Sequence, residues 1–152
     1  MSIQDRIGDS RVLESREVSD GKAIRRRRET LDGEHRFTTY ERIERPNLAV
    51  IKKDSSRVLF DRDKLATAVT VSVGKFFASE LEIEEIVTNV EEAIYALGES
   101  EVTSRQIGDT VLDELKNRNE VAYVRFASVY HDFKTLDEFR DILGQAAKSK
   151  VV

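Results

Sequence analysis

The chain has no cysteine, no tryptophan, one proline, one methionine and two histidines in 152 residues. Each scarcity excludes something. Without cysteine there are no disulfides and no thiolate metal sites. With only His35 and His131, a histidine-based zinc site is short of ligands. No apolar run approaches the ~18 residues of a membrane span, and the N-terminus lacks an apolar signal region. A cytoplasmic protein without a membrane partner is expected. Gly-x-Gly patterns are absent, as are a phosphate-cradling Gly-rich loop and a nucleophile elbow, so an enzyme is not expected.

What is present is charge. Charged residues make up 36% of the chain against 39% apolar, and the formal net charge is −4. That balance argues against indiscriminate affinity for nucleic acid, but it is uneven. Residues 1–46 hold eleven Lys and Arg against ten Asp and Glu, and the remainder holds fourteen against nineteen. The cationic charge of the first segment is concentrated in Arg25–Arg28.

The first segment reads as a small β module. Ser10–Val18 is a strand pattern, Asp20-Gly21 a hairpin turn whose residues tolerate positive φ, and Ala23–Arg28 the returning strand. A turn at Leu31–Glu34 leads to a third strand, Arg36–Glu44, rich in β-branched and aromatic residues. Pro46 marks a break, giving a boundary near residues 45–47. About 45 residues is marginal for independent folding without a staple. Four consecutive arginines point to both faces of a strand, with Arg11, Arg16, Arg36 and Arg42 on its neighbours. Cross-strand glutamates could neutralise them. The density of guanidinium groups, which fork onto phosphate, favours nucleic acid instead.

The second segment is organised around Leu48–Leu65. Apolar Leu48–Ile51 reaches Lys52 and Lys53, a polar tip follows at 54–56, and Val58–Phe60 leads to Asp61 and a helix. Asp61 is a candidate N-cap. Lys52, Lys53 and Lys64 then converge beside a helix start, a place suited to polyphosphate. Read alone, the stretch favours a structural hairpin with solvated lysines. Helical periodicity follows over 62–77 and 80–97, with Gly98 as C′ residue. Thr103 and Gln106 form a capping-box pattern for the next helix, Asn119 caps 120–133, and Thr135 with Glu138 begins a short fifth helix. The acidic residues of 80–92 read as a solvated face rather than a metal site. The expected fold class is α+β: a three-stranded ribbon-like module over 1–46, a hairpin with a helical bundle over 47–143, and a flexible tail over 144–152.

Five strings then carry a resemblance: Asp9-Ser10-Arg11, AIRRRR at 23–28, RFTTYER at 36–42, FDRDKL at 60–65 and EVAYVRFASVYHDF at 120–133. With them the chain resembles the NrdR family, bacterial transcriptional repressors of ribonucleotide reductase genes. The resemblance implies a zinc ribbon followed by an ATP-cone. It implies a repressor that senses ATP or dATP, with magnesium as a possible companion ion, that changes its homo-oligomeric state, and that binds double-stranded operator DNA. Carried over by position, it assigns Val50, Lys52, Lys53, Lys64, Ser104, Tyr123 and Tyr130 to nucleotide, the two tyrosines to pocket or oligomer interface. It assigns Arg11, Arg25, Arg26, Arg27, Arg28 and Arg36 to DNA.

The sequence departs from the family in specific places. The two C-x-x-C pairs fall at Ser2 and Asp5 and at Thr30 and Gly33, and the following glycine is Glu34. Zinc is therefore not expected here, although structural zinc contributes on the order of 10 kcal/mol to such modules. In the cone, the hairpin glycine is Ser55 and the acidic residue before Phe-Asp is Val58. The alternative reading is a nucleotide-binding, self-assembling module that has lost DNA recognition together with its zinc site.

Overall fold

The computed structural model describes residues 5–148. Ser2 and the last four residues lie outside them. Two compact units divide after Pro46.

The first unit is an antiparallel sheet of β1 (Ser10–Val18), β2 (Ala23–Thr30) and β3 (Arg36–Arg42) in that order, entered by a 3-10 turn at Ile7–Asp9. The first hairpin closes through Ser19, Asp20 and Gly21, all at positive φ. β1 carries a bulge at Leu13, where pairing passes from Val12 opposite Arg28 to Glu14 opposite Arg27. Because side chains alternate across a sheet, register assigns faces. β2 runs two residues further than expected, to Thr30, and β3 stops at Arg42 rather than Glu44. This unit buries little apolar surface: Val18 and Ala23 at the first turn, and the polar pair Glu29 and Thr30 at the opposite end.

The second unit has β4 (Ala49–Ile51), β5 (Arg57–Leu59), α1 (Arg62–Val73), a 3-10 turn at Gly74–Phe76, α2 (Glu80–Ala96), β6 (Glu101–Thr103), α3 (Ser104–Lys116), α4 (Glu120–His131) and α5 (Leu136–Lys148). β4 pairs antiparallel with β5 and parallel with β6. The strand β6 was not anticipated, since three residues are too few to show a period. It matters because Ile51 lies opposite Thr103, which sets Ser104 and the start of α3 beside Lys52.

The caps explain the helix starts. Asp61 accepts from the amides of Asp63 (2.9 Å) and Lys64 (3.4 Å). Thr103 and Gln106 complete a reciprocal capping box, and Asn119 accepts from Ala122 N–H at 3.0 Å. The core is built from Val69 and Val73 of α1, Ile86, Val87, Val90 and Ile94 of α2, Val111 and Leu115 of α3, and Ala122 and Ala127 of α4, all inaccessible to solvent or nearly so.

Two expectations are corrected. The acidic residues of α2 are not simply a solvated face: Arg62 pairs with Glu84 and Glu91 and donates to Thr88 Oγ1 at 2.9 Å, tying α1 to α2. The fifth helix is longer than expected and runs through residues 144–148. α5 extends to Lys148 because Ile142 and Ala146, four residues apart on one face, bury against the core.

Candidate nucleotide pocket and nucleic-acid face

A cavity of about 580 Å³ opens in the second unit between the β4–β5 hairpin, α1, α3 and α4. Lys52, Lys53 and Asp54 supply its charged rim, and Ser104 stands at the start of α3. Leu65, Ala68, Ile107, Val111 and Phe126 form an apolar wall. Two ammonium groups and a hydroxyl at a helix N-terminus favour phosphate, and the wall favours a flat apolar ring.

The hairpin that presents the lysines is closed by its own polar tip. Ser55 sits at φ +68, donates its amide to the Lys52 carbonyl at 2.9 Å, and leaves Asp54 Oδ1 to accept both the amide and the hydroxyl of Ser56. Those bonds, the hydroxyl first, hold the Asp54 carboxyl below its usual range.

Of the seven positions expected at a nucleotide, Lys52, Lys53, Ser104 and Tyr130 meet at this cavity. Val50 is buried in the core next to the hairpin. Tyr123 is also a core residue, and its hydroxyl donates to Gln145 of α5 at 3.3 Å. Lys64 is exposed on α1, on the helix face of cavity-lining Ala68 four residues on. Sequence reading missed Gly108. A Cβ there would stand 2.2 Å from Tyr130 Cε2, so the glycine is what admits the ring. The signal was a glycine inside a strongly patterned helix. Tyr130 then donates to the Arg105 carbonyl at 2.8 Å and stacks with Phe126, centroids 6.0 Å apart.

In the first unit, register divides the arginine block between two faces. Arg25 and Arg27 of β2 share a face with Arg11 and Arg16 of β1 and with Arg36, Tyr40 and Arg42 of β3. Arg42 lies over the Tyr40 ring, 4.8 Å from its centroid. Arg26 and Arg28 lie on the opposite face. There Arg26 pairs with Glu41 at 3.0 Å, and Arg28 donates to Thr39 Oγ1 and Ser10 Oγ at 3.1 and 3.2 Å. Arg11 and Arg36 both hold buried Glu29, so the six expected DNA contacts do not form one surface.

An arginine-dense antiparallel sheet followed by a hairpin-and-helix unit with a lysine-rimmed cavity makes this a two-part chain, and comparison with known proteins matches each part. Residues 6–41 match the family described as "Transcriptional repressor NrdR-like, N-terminal domain", and residues 48–136 match the ATP cone domain. The Transcriptional repressor NrdR of Petrotoga mobilis is 48% identical over 141 residues, 93% of this chain and 94% of that protein. Those of Streptococcus sanguinis and Enterococcus faecalis are each 46% identical, over 91% and 93% of this chain and 88% and 91% of their own length. The chain belongs to the NrdR family.

The zinc implied by the ribbon does not fit the residues present. Thr30 and Gly33 stand where one cysteine pair is expected, and Asp5 where another cysteine is expected. Among the described residues no three His, Cys, Asp or Glu side chains converge to hold a metal.

Proposed function

We propose that this chain is a nucleotide-responsive transcriptional repressor of ribonucleotide reductase genes, acting in the cytoplasm and without catalytic activity. ATP or dATP, with magnesium as a companion of the phosphates, enters the 580 Å³ cavity. Lys52, Lys53 and the Ser104 hydroxyl hold the phosphates, and Ile107, Val111 and Phe126 cover the base. Nucleotide biases how cones of a homo-oligomer associate, and that arrangement decides which basic ribbons reach operator DNA together. On the ribbon, Arg16, Arg25, Arg27 and Arg42 engage phosphate from one face, while Arg26 and Arg28 brace the sheet from the other. The observation that carries this reading is the cavity: cations and a helix start on its rim, an apolar wall within, in a chain whose other unit carries an arginine-dense sheet face.

The missing cysteines favour a second reading, a self-assembling nucleotide module without working DNA recognition. Titration of a duplex from upstream of the ribonucleotide reductase genes, with ATP, with dATP and with neither, separates the two. Nucleotide-dependent, sequence-specific retention, abolished in Lys53→Ala, supports the repressor. Nucleotide-dependent assembly with equal, weak retention of a scrambled duplex supports the second reading.

A further inference from the structure

The first unit lacks both metal ligands and an apolar core, yet it forms a complete sheet. Among the described residues its buried apolar side chains are Val18 and Ala23, and both lie at the end remote from Thr30. The other end is polar. Thr30, where a cysteine is expected, is 5% exposed, and its hydroxyl is satisfied twice: Oγ1 accepts the His35 amide at 3.1 Å and donates to Asp32 Oδ1. The same Asp32 oxygen accepts the Glu34 amide at 2.9 Å. Backbone bonds close the turn, Gly33 N–H to the Thr30 carbonyl at 2.8 Å and Thr30 N–H to the His35 carbonyl at 2.9 Å.

This turn is also fastened to the segment that the other cysteine pair would serve. Leu31 N–H donates to the Asp9 carbonyl at 3.1 Å, and Ser10 Oγ, which donates to the Ile7 carbonyl, accepts from Arg28. Beside it Glu29, 6% exposed, takes Arg11 from β1 on one oxygen and Arg36 from β3 on the other. One carboxylate thereby joins all three strands, as a metal ion joins two loops. Among the described residues of this unit, the buried side-chain atom without a hydrogen-bond partner is Ser19 Oγ, which lies in the β1–β2 hairpin at the other end of the sheet. Nothing at the turn is left waiting for an ion.

We infer that the Thr30–Asp32–His35 turn and the Arg11–Glu29–Arg36 clamp replace the structural metal, so that the N-terminal unit folds and displays its arginines without zinc. This holds independently of the repressor reading. A folded ribbon that ignores operator DNA would sink that reading and leave this one standing.

Hydrogen–deuterium exchange on the full chain, purified without added metal and read by mass spectrometry, tests it, with second-unit peptides as internal reference. Peptides covering residues 10–42 should be protected, and their rates should stay within twofold on adding millimolar EDTA or zinc sulfate. Asp32→Ala and Thr30→Val should each speed exchange over residues 28–37 by about tenfold, the scale of one lost buried hydrogen bond, with the second unit unchanged. EDTA that releases the protection would overturn the inference. So would unfolded-rate exchange over 10–42 in the untreated chain, or protection that both substitutions leave intact.

Discussion

Replacing Gly108 by alanine should do opposite things in two backgrounds. The new Cβ would stand 2.2 Å from Tyr130 Cε2, 2.3 Å from Cζ and 2.8 Å from the hydroxyl oxygen. Carbon atoms settle at about 3.5–4.0 Å, so the ring must swing by more than about 1 Å. It then loses its bond to the Arg105 carbonyl and its stack on Phe126. The hydrogen bond is worth about 1 kcal/mol, and overpacking costs about 1–3 kcal/mol. Against this stands a helix-propensity gain of about 1 kcal/mol for alanine over glycine. The net expectation is destabilisation by about 1–3 kcal/mol, and nucleotide affinity should fall about tenfold because both residues line the cavity. In a Tyr130→Ala background the ring is gone, and Gly108→Ala should stabilise by up to about 1 kcal/mol. Among the described residues the α-helices lie in the second unit, so ellipticity at 222 nm reports its unfolding. Equal stabilisation by Gly108→Ala in both backgrounds would refute the reasoning.

Three further outcomes follow from the geometry. Ser55→Gly should raise the melting temperature of the second unit, by about 0.5–1 kcal/mol of stability, because a non-glycine residue is held at φ +68; a lower midpoint in a thermal scan would show that the serine is favoured there. Arg25→Ala should weaken DNA binding across sequences and reduce the salt slope by about one, whereas Arg26→Ala, on the face with Glu41, should leave that slope unchanged; equal slopes for the two variants would remove the distinction between faces. The first unit should loosen in acid. The Arg11 hydrogen bond holds the Glu29 carboxyl below its ordinary 4.5, with Arg36 adding to it against the effect of burial, and the Thr30 hydroxyl holds Asp32 below 3.8. Lowered carboxylates stabilise fully above their unfolded values and lose that contribution as pH falls through the folded ones. Exchange protection over residues 10–42 should therefore be constant from pH 7 to 5 and decline below about pH 4, and a decline already complete at pH 5 would contradict the assignment to these two carboxylates.

Much of this organisation was legible in the chain. Asp20-Gly21 and the alternating patterns located the three ribbon strands, and Asp61, Thr103 and Asn119 marked helix starts because short polar side chains at those positions compete for orphan amides. The resemblance placed Lys52, Lys53, Ser104 and Tyr130, which the fold gathers at one cavity. What escaped was set by tertiary pairing. β6 has three residues and no period, yet its parallel register with β4 brings Ser104 to the lysines. Gly108 shows its purpose only when Tyr130 lies over it. That the four arginines alternate between two faces was legible, whereas the partners that each face meets were set by register. Thr30 looked like a loss in a metal motif, whereas its hydrogen bonds with Asp32 and His35 emerge only once the turn is closed.

The central claim is that nucleotide in the second unit and operator DNA on the first are coupled. Coupling is reciprocal, so DNA must shift nucleotide affinity by the factor with which nucleotide shifts DNA affinity. Isothermal titration of ATP and of dATP into the full chain, alone and saturated with operator duplex, measures it directly. The account predicts that the duplex changes the affinity of at least one nucleotide by about 5-fold or more, and that a scrambled duplex does not. Identical nucleotide affinities with and without operator, in a chain that binds both, would contradict it.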